Sequence, residues 1–156
     1  MKKTLHSSNL IIRNAVFDDI GLLRDVYRRA SLTVEEDRDL FAAHPEWLVW
    51  DDKMLPFTRV AVVNGRIAGF ASACPVNGCL ELEDLFTDPE WMRQGVAMAL
   101  IKDIARRGAR IEVTASPRAV RLYEAAGFIA NGFANTEGGP APRMYLDVTR
   151  AGLDRN

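Results

Sequence analysis

With 156 residues, 48% of them hydrophobic, the chain has material for one domain with a buried core and no need of a metal or disulfide to hold it. Its formal net charge of −1 lacks the surplus of Lys and Arg that neutralises phosphates, which argues against nucleic-acid and membrane-surface partners. No apolar run approaches the roughly 18–20 residues of a membrane span, and the basic start Met1-Lys2-Lys3 leads into no apolar stretch of a secretion signal, so the cytoplasm is the expected compartment.

No repeat, low-complexity tract or linker interrupts the chain, and residues 1–156 read as a single domain. Residues 9–15 form a first strand, and Asp18-Asp19 open a helix carrying Ile20, Leu22, Leu23 and Val26. Thr33 with Glu36 has the spacing of a capping box for a second helix, which ends near Ala43 ahead of His44-Pro45. Asn64-Gly65 predicts a tight hairpin between Arg59–Val63 and Arg66–Cys74, and Asn77-Gly78 predicts a second turn into a strand over 79–87. A helix from about Gly95 to Arg107 buries Val96, Leu100, Ile101 and Ile104 and closes at Gly108. After a strand over Ala109–Thr114, Ser116-Pro117 offers an N-cap and an N1 proline to a helix ending at Gly127. Strands near Phe128–Phe133 and Met144–Val148 follow, separated by a loop at Gly138-Gly139-Pro140. A meander of strands precedes the helical crossovers. That order predicts an α/β fold with a mixed sheet and argues against a Rossmann domain, whose strands would all be joined by helices.

Cys74 and Cys79 flank the Asn77-Gly78 turn and read as reduced thiols, with a regulatory disulfide as the alternative. His6 and His44 have no ligand-like spacing to them, so no metal site is expected. Within residues 31–57, Glu35, Glu36, Asp37, Asp39, Asp51 and Asp52 accompany Trp47 and Trp50. Two readings stay open: an anionic, aromatic-lined pocket for a cationic amine, or a solvated face with core tryptophans.

The stretch Leu82–Ala99 carries the strongest functional signal. An apolar and acidic strand turns through Asp88-Pro89-Glu90 into a helix opened by Gly95. A glycine lets a ligand approach the main chain, and the first amides of a helix have no intrahelical partner, so such a turn suits an anion such as a pyrophosphate. A Walker-type loop is excluded because no Gly-Lys-Ser/Thr occurs there. Together with Ser116, Ala119, Leu122-Tyr123 and Gly127-Phe128 further on, Arg93-Gln94-Gly95-Val96-Ala97 resembles the GNAT superfamily of acyl-CoA-dependent N-acetyltransferases over roughly residues 10–148. Met92 stands where that family prefers Gln or Arg, and Ser116 where it often has Asn.

The resemblance implies a mainly antiparallel central sheet of about seven strands flanked by about four helices, with acetyl-CoA as cosubstrate and no metal. It implies that the pantetheine arm bonds the backbone of Leu85, Phe86 and Thr87. The pyrophosphate would lie on amides from Arg93 through Gln94, Gly95, Val96 and Ala97 to Met98, with Ser116 as a further cofactor contact. Tyr123 takes the position of the general acid that protonates the leaving thiolate, a task that suits a phenol; read from the helix alone, it is a core tyrosine. Glu83 begins a Glu-Asp-Leu-Phe string similar to that of diamine acetyltransferases and is expected to collect the proton of the attacking amine. By strand alternation Glu81 shares its face and Asp84 takes the other. The implied reaction moves an acetyl group to a primary amine of a small molecule or peptide by direct attack; the alternative is a noncatalytic acyl-CoA-binding or sensing domain. A homodimer remains open.

Overall fold

The computed structural model describes residues 9–148. Its strands are β1 (Leu10–Asn14), β2 (Thr58–Val63), β3 (Arg66–Val76), β4 (Cys79–Thr87), β5 (Ile111–Thr114), β6 (Ile129–Thr136) and β7 (Gly139–Leu146). Its α-helices are α1 (Ile20–Ser31), α2 (Arg38–Ala43), α3 (Val96–Ala105) and α4 (Val120–Ala125), with short 3-10 turns between elements. The seven strands hydrogen-bond in the order β1-β2-β3-β4-β5-β7-β6. β4 and β5 run parallel, whereas β1 with β2, β2 with β3, and β7 with both β5 and β6 pair antiparallel. This is the mixed, mainly antiparallel sheet expected.

Both Asn-Gly pairs form their turns. Val63 pairs with Arg66, and the two residues between them, Asn64 (φ 50°) and Gly65 (φ 78°), are left-handed as a type I′ hairpin requires. Asn77 and Gly78 repeat the geometry at φ 51° and 79°.

The chain forms two compact units, one taking in residues up to Ser72 with Asp84–Leu100, the other Ala73–Glu83 with the chain from Ile101. In the first unit Leu23 and Val26 of α1 pack with Trp50, Val60 and Phe70 as a buried cluster, and Tyr27 and Phe86 lie against it. Leu23, Val26 and Ala30 are buried at the three- and four-residue spacing of one helix face. In the second unit Leu80, Leu82, Ile111, Val113, Met144 and Leu146 are buried side chains of β4, β5 and β7. There Glu81 and Glu112 stand opposite each other in the parallel ladder, a like-charge pair. Arg143 of β7 offsets it, donating to both oxygens of Glu81 at 2.6 and 3.0 Å and to Glu112 at 3.4 Å.

Three local expectations change. Thr33 does not cap the second helix: its hydroxyl donates to the Ala30 carbonyl at 2.6 Å, closing the end of α1, and a 3-10 turn over Glu35–Asp37 leads into α2. Ser116 makes no side-chain cap bond, although its carbonyl accepts from Ala119 at 2.9 Å. The loop expected around Gly138-Gly139-Pro140 shrinks to a hairpin tip, since Thr136 pairs with Gly139 and the strands continue through Pro140 and Pro142. β7 pairs with β5 only from Arg143 onward, so both prolines lie in the stretch where β7 has β6 as its registered partner.

The entry to α1 rests on Asp19. Arg13 of β1 donates to its two oxygens at 2.8 and 3.1 Å, and the Val16 amide donates at 2.8 Å. The Arg13 bond, helped by the Val16 amide, holds the carboxyl below its ordinary range against the opposing effect of burial. A carboxyl lowered in the folded state adds stability above its unfolded pKa of about 3.9, and that stability is lost as pH falls through the folded value. Asp19→Asn is therefore expected to cost about 1 kcal/mol at neutral pH, Arg13 being exposed enough for solvent to screen the pair. In denaturant melts the gap to the unaltered chain should close below about pH 4.

Candidate active site

The first unit holds most of the residues that the sequence singled out, and a backbone approach assembles them. Gly69 of β3 lies so close to the end of β4 that an added Cβ would stand 2.7 Å from the Phe86 carbonyl oxygen, 3.0 Å from Val96 Cγ1 and 3.3 Å from the Thr87 Cα. One glycine thus sets three segments together: β3, the end of β4 and the first residue of α3. The Asp88 amide donates to the Ala68 carbonyl at 2.8 Å and continues the contact by one residue.

Asp88 then shapes the turn. Its side chain is buried, accepts from the Glu90 amide at 3.0 Å and is paired with Arg29 of α1. Trp91 is buried, and its amide donates to the Asp88 carbonyl at 2.8 Å. Beyond it the backbone enters the left-handed region twice, at Arg93 (φ 64°) and at Gly95 (φ 87°). A non-glycine residue there is uncommon and costs energy, and such positions cluster at functional sites. The Arg93 side chain is exposed. The Gly95 carbonyl accepts from the Ala99 amide at 3.0 Å, the first bond of α3, so the amides of Val96, Ala97 and Met98 precede the intrahelical ladder. A Cβ on Gly95 would meet no protein atom within 4 Å, so only the positive φ demands glycine there.

On β4, alternation divides the side chains. Phe86 turns into the core, its ring 4.8 Å from Tyr27 and 5.6 Å from Phe70, so it offers a ligand its backbone alone. Leu85 and Thr87, part-buried, alternate to the other face. Asp84 shares the face of Phe86 and accepts from Trp50 Nε1 at 2.9 Å. Burial pushes its carboxyl above the ordinary range, and the nearby Asp51 adds to this, while hydrogen bonds from Trp50 and Ser72 oppose it. A cavity of about 250 Å³ in this unit is lined by Asp25, Arg29, Arg66, Asp88 and Trp91 and contains none of the Arg93–Met98 residues.

In the second unit Glu83 is exposed, Glu81 is held by Arg143, and Ser116 is exposed ahead of α4. Tyr123 of α4 is buried with its ring 5.1 Å from Phe128. Burial raises its phenol to about 12. Among the described residues no group hydrogen-bonds its hydroxyl.

The residues that sequence reasoning passed over are Gly69, Ser72 and Thr58, and Asp84 was weighed only as the acid on the other face from Glu83. A glycine inside a strand pattern signals close backbone approach, and that signal was present. For Asp84 alternation gave the face but not the depth. Within residues 31–57, Trp50 is buried, Trp47 stacks on His44 at 4.0 Å, and Glu35, Glu36 and Asp39 are exposed.

The model of the acetyltransferase (GNAT) domain matches residues 54–139, more than half of the chain. The chain belongs to the GNAT acetyltransferase family. An uncharacterized N-acetyltransferase of Escherichia coli (strain K12), YafP, is 36% identical over 80 residues, 51% of each protein, so the match spans about half of that relative. The ribosomal-protein-S18-alanine N-acetyltransferase of Escherichia coli superposes with a TM-score of 0.65 at 22% identity, over 88% of this chain and 92% of that one. An aminoglycoside 6'-N-acetyltransferase complexed with coenzyme A gives 0.64 at 17%, over 88% and 97%. At these identities the two structures show a shared fold.

The Gly69 approach makes a direct forecast. Gly69→Ala must push against a carbonyl oxygen and a Cα rather than a flexible side-chain end, and overpacking of this kind typically costs ~1–3 kcal/mol. A drop in melting temperature is the expected readout, and an unchanged melt would show that β3 can yield.

Proposed function

We propose that this chain transfers the acetyl group of acetyl-CoA to a primary amine of a small molecule or peptide, by direct attack of the amine on the thioester. The observation that carries the reading is the turn into α3. Left-handed Arg93 and Gly95 lead to the amides of Val96, Ala97 and Met98 ahead of the first helical bond, inside the matched GNAT region. Pyrophosphate oxygens would accept from these amides, aided by the positive helix end, with the Arg93 charge and the neighbouring Gln94 adding to them. The pantetheine arm would bond the backbone of Leu85, Phe86 and Thr87, with Ser116 a further contact to the cofactor. Met92 in place of Gln or Arg makes this site lean on backbone rather than side chains.

The structural neighbours support an amine acceptor: one is named for an alanine of a ribosomal protein, the other for an aminoglycoside. An alkyl amine of the lysine kind, with a pKa of about 10.4, is only about 0.04% neutral at pH 7. Its ammonium must therefore lose a proton before the nitrogen lone pair can attack the carbonyl carbon. A strand amide near Leu85 would polarise the carbonyl, and holding both reactants in line supplies much of the rate. That first proton goes to a carboxylate of β4, the exposed Glu83 or the part-buried Asp84, and as the C–S bond breaks the thiolate takes up a proton that the second proton of the amine balances.

Tyr123 is the proposed donor to the thiolate. At about 12 its phenol remains protonated but gives up the proton less readily than an ordinary tyrosine, so its contribution belongs at the low end of the ~10²–10⁴ typical of general acids. Tyr123→Phe keeps the ring on Phe128 and loses no hydrogen bond to another described residue. Melting temperature and acetyl-CoA affinity should stay near normal while kcat falls; a fall of less than about threefold would make Tyr123 structural.

Thiol release from acetyl-CoA with a panel of amines tests the whole reading. Tight acetyl-CoA binding with no turnover on any amine would favour the noncatalytic acyl-CoA-binding domain instead. For the cofactor turn, Gly95→Ala places a methyl where no protein atom lies within 4 Å, with strain from φ as its intramolecular cost. A weakened coenzyme A affinity in a folded variant is expected by calorimetry. Unchanged affinity would move the phosphates elsewhere.

A further inference from the structure

In the first unit a line of polar groups runs inward from β4. Asp84 is hydrogen-bonded to Ser72 of β3, the Ser72 Oγ lies 2.7 Å from Thr58 Oγ1 of β2, and Thr58 Oγ1 donates to the Met54 carbonyl at 2.7 Å. Ser72 and Thr58 are buried, with no route to bulk water to make up a missing bond. Proton counting decides how the line can be filled. There are three gaps, Asp84–Ser72, Ser72–Thr58 and Thr58–Met54, and only two hydroxyl protons to fill them. With Asp84 ionised, one gap always faces oxygen to oxygen without a hydrogen. With Asp84 protonated, the carboxyl donates to Ser72, Ser72 to Thr58 and Thr58 to Met54, and every gap is filled. Either oxygen of the Thr58–Ser72 pair can be the donor, so the line adapts by hydroxyl rotation alone.

We propose that Asp84 is the group that takes the proton of the acceptor amine, and that Ser72 and Thr58 are positioning residues whose hydroxyl line is completed by that proton. The proposal rests on the acetyl-transfer reading and assigns the β4 carboxylate that reading left open. In the step, R–NH3+ passes one proton to the Asp84 carboxylate and becomes R–NH2. The nitrogen lone pair forms the amide bond as the C–S bond breaks, the departing thiolate takes a proton from Tyr123 that the second amine proton replaces, and Asp84 later returns its own to solvent. Asp84 keeps part of its surface exposed and directly precedes Leu85 on the proposed cofactor strand. The charged and titratable groups that act on it are few. Asp51, ahead of β2, disfavours its negative charge, and Tyr27 of α1 has its own phenol raised by burial and by Asp84. Trp50 contributes a neutral N–H to one carboxylate oxygen. Desolvation and Asp51 together hold the Asp84 carboxyl above the ordinary range, which makes it the better base.

Three variants test this. Asp84→Asn imitates the loaded state, since its amide can donate to Ser72 and complete the line, so it should fold and melt at or above the unaltered chain. Its turnover near neutral pH should fall by about 10²–10⁴, with partial recovery at high pH where the amine is already neutral. Ser72→Ala removes the donor to the ionised carboxylate and should move the acid limb of the kcat profile to higher pH, on the order of one unit. Thr58→Val strands the Ser72 proton in the loaded state and should move it to lower pH. The same opposite shifts should appear in the Asp84 carboxyl band by difference infrared titration against Asp84→Asn, with no substrate present. Packing damage would shift neither midpoint in this paired way. Shifts of one sign or none, or turnover kept in Asp84→Asn and lost in Glu83→Gln, overturn the proposal while acetyl transfer stands. No thiol release by the unaltered chain on any amine overturns the acetyl-transfer reading and the acceptor role with it.

Discussion

The contact on which the first unit depends is made by backbone. At Gly69 the chain of β3 runs against the Phe86 carbonyl, the Thr87 Cα and the first side chain of α3 at distances that leave no room for a methyl group. Because packed interiors resist small displacements, this approach fixes where β4 ends and where the following turn begins. The Asp88 amide on Ala68 and the Asp88 side chain on Glu90 carry that constraint into the turn. By the time the chain reaches Arg93 and Gly95, little freedom is left, and the left-handed conformation of a non-glycine residue is held by what surrounds it. On the proposed reading, such a site would tolerate Met92 in place of a polar side chain, because its donors would be amides that every residue but proline supplies.

Much of the meander was legible because Asn-Gly pairs state their geometry locally: both central residues must be left-handed, and few other residues accept that. Helix faces were legible for a similar reason, since Leu23, Val26 and Ala30 recur at helical spacing. Thr33 was misleading because a hydroxyl can serve either the helix ahead or the helix behind, and the spacing to Glu36 cannot say that the Ala30 carbonyl is the nearer acceptor. The prolines of β7 read as loop because their missing N–H groups matter only if a partner needs them. Whether one does depends on which stretch of β7 also pairs with β5, a fact of tertiary order. The proposed cofactor motif was legible as a string, but its strain at Arg93 was not. The depth of Asp84 was hidden for the same reason as the prolines: Trp50 and Ser72 reach it from sequence positions far away.

The aromatic side chains of the first unit give that depth its chemical consequence. Trp50, Phe70, Phe86 and Tyr27 form a chain of ring contacts, from Trp50 on Phe70 at 5.5 Å to Tyr27 on Phe86 at 4.8 Å. They surround the strand face that carries Asp84 with apolar surface. Burial thereby reduces the water that would stabilise the carboxylate, and the polar groups beside it act with more force than they would in solvent. The cost falls on the fold. A carboxyl raised above its unfolded value binds its proton more readily when folded, so this group subtracts stability as pH rises from about 3.9 through the folded value. A neutral isostere at position 84 would remove that penalty, which is the pattern expected of a residue kept for chemistry rather than for stability.

The three acids of β4 separate by the company each keeps. Both oxygens of Glu81 are taken by Arg143, which also binds Glu112 and Thr114, so its negative charge is matched by a cation fixed across three strands. Arg143 is in turn held above its ordinary range, first by its hydrogen bond to Glu81. Glu83 is exposed at the strand surface. Asp84 has partners that are neutral, the Ser72 hydroxyl with Thr58 behind it and the Trp50 indole N–H, in a setting that disfavours the anion. A group that must change charge once per turnover needs an environment that favours neither form by much and can reorganise without moving backbone. The hydroxyl line behind Asp84 meets both conditions.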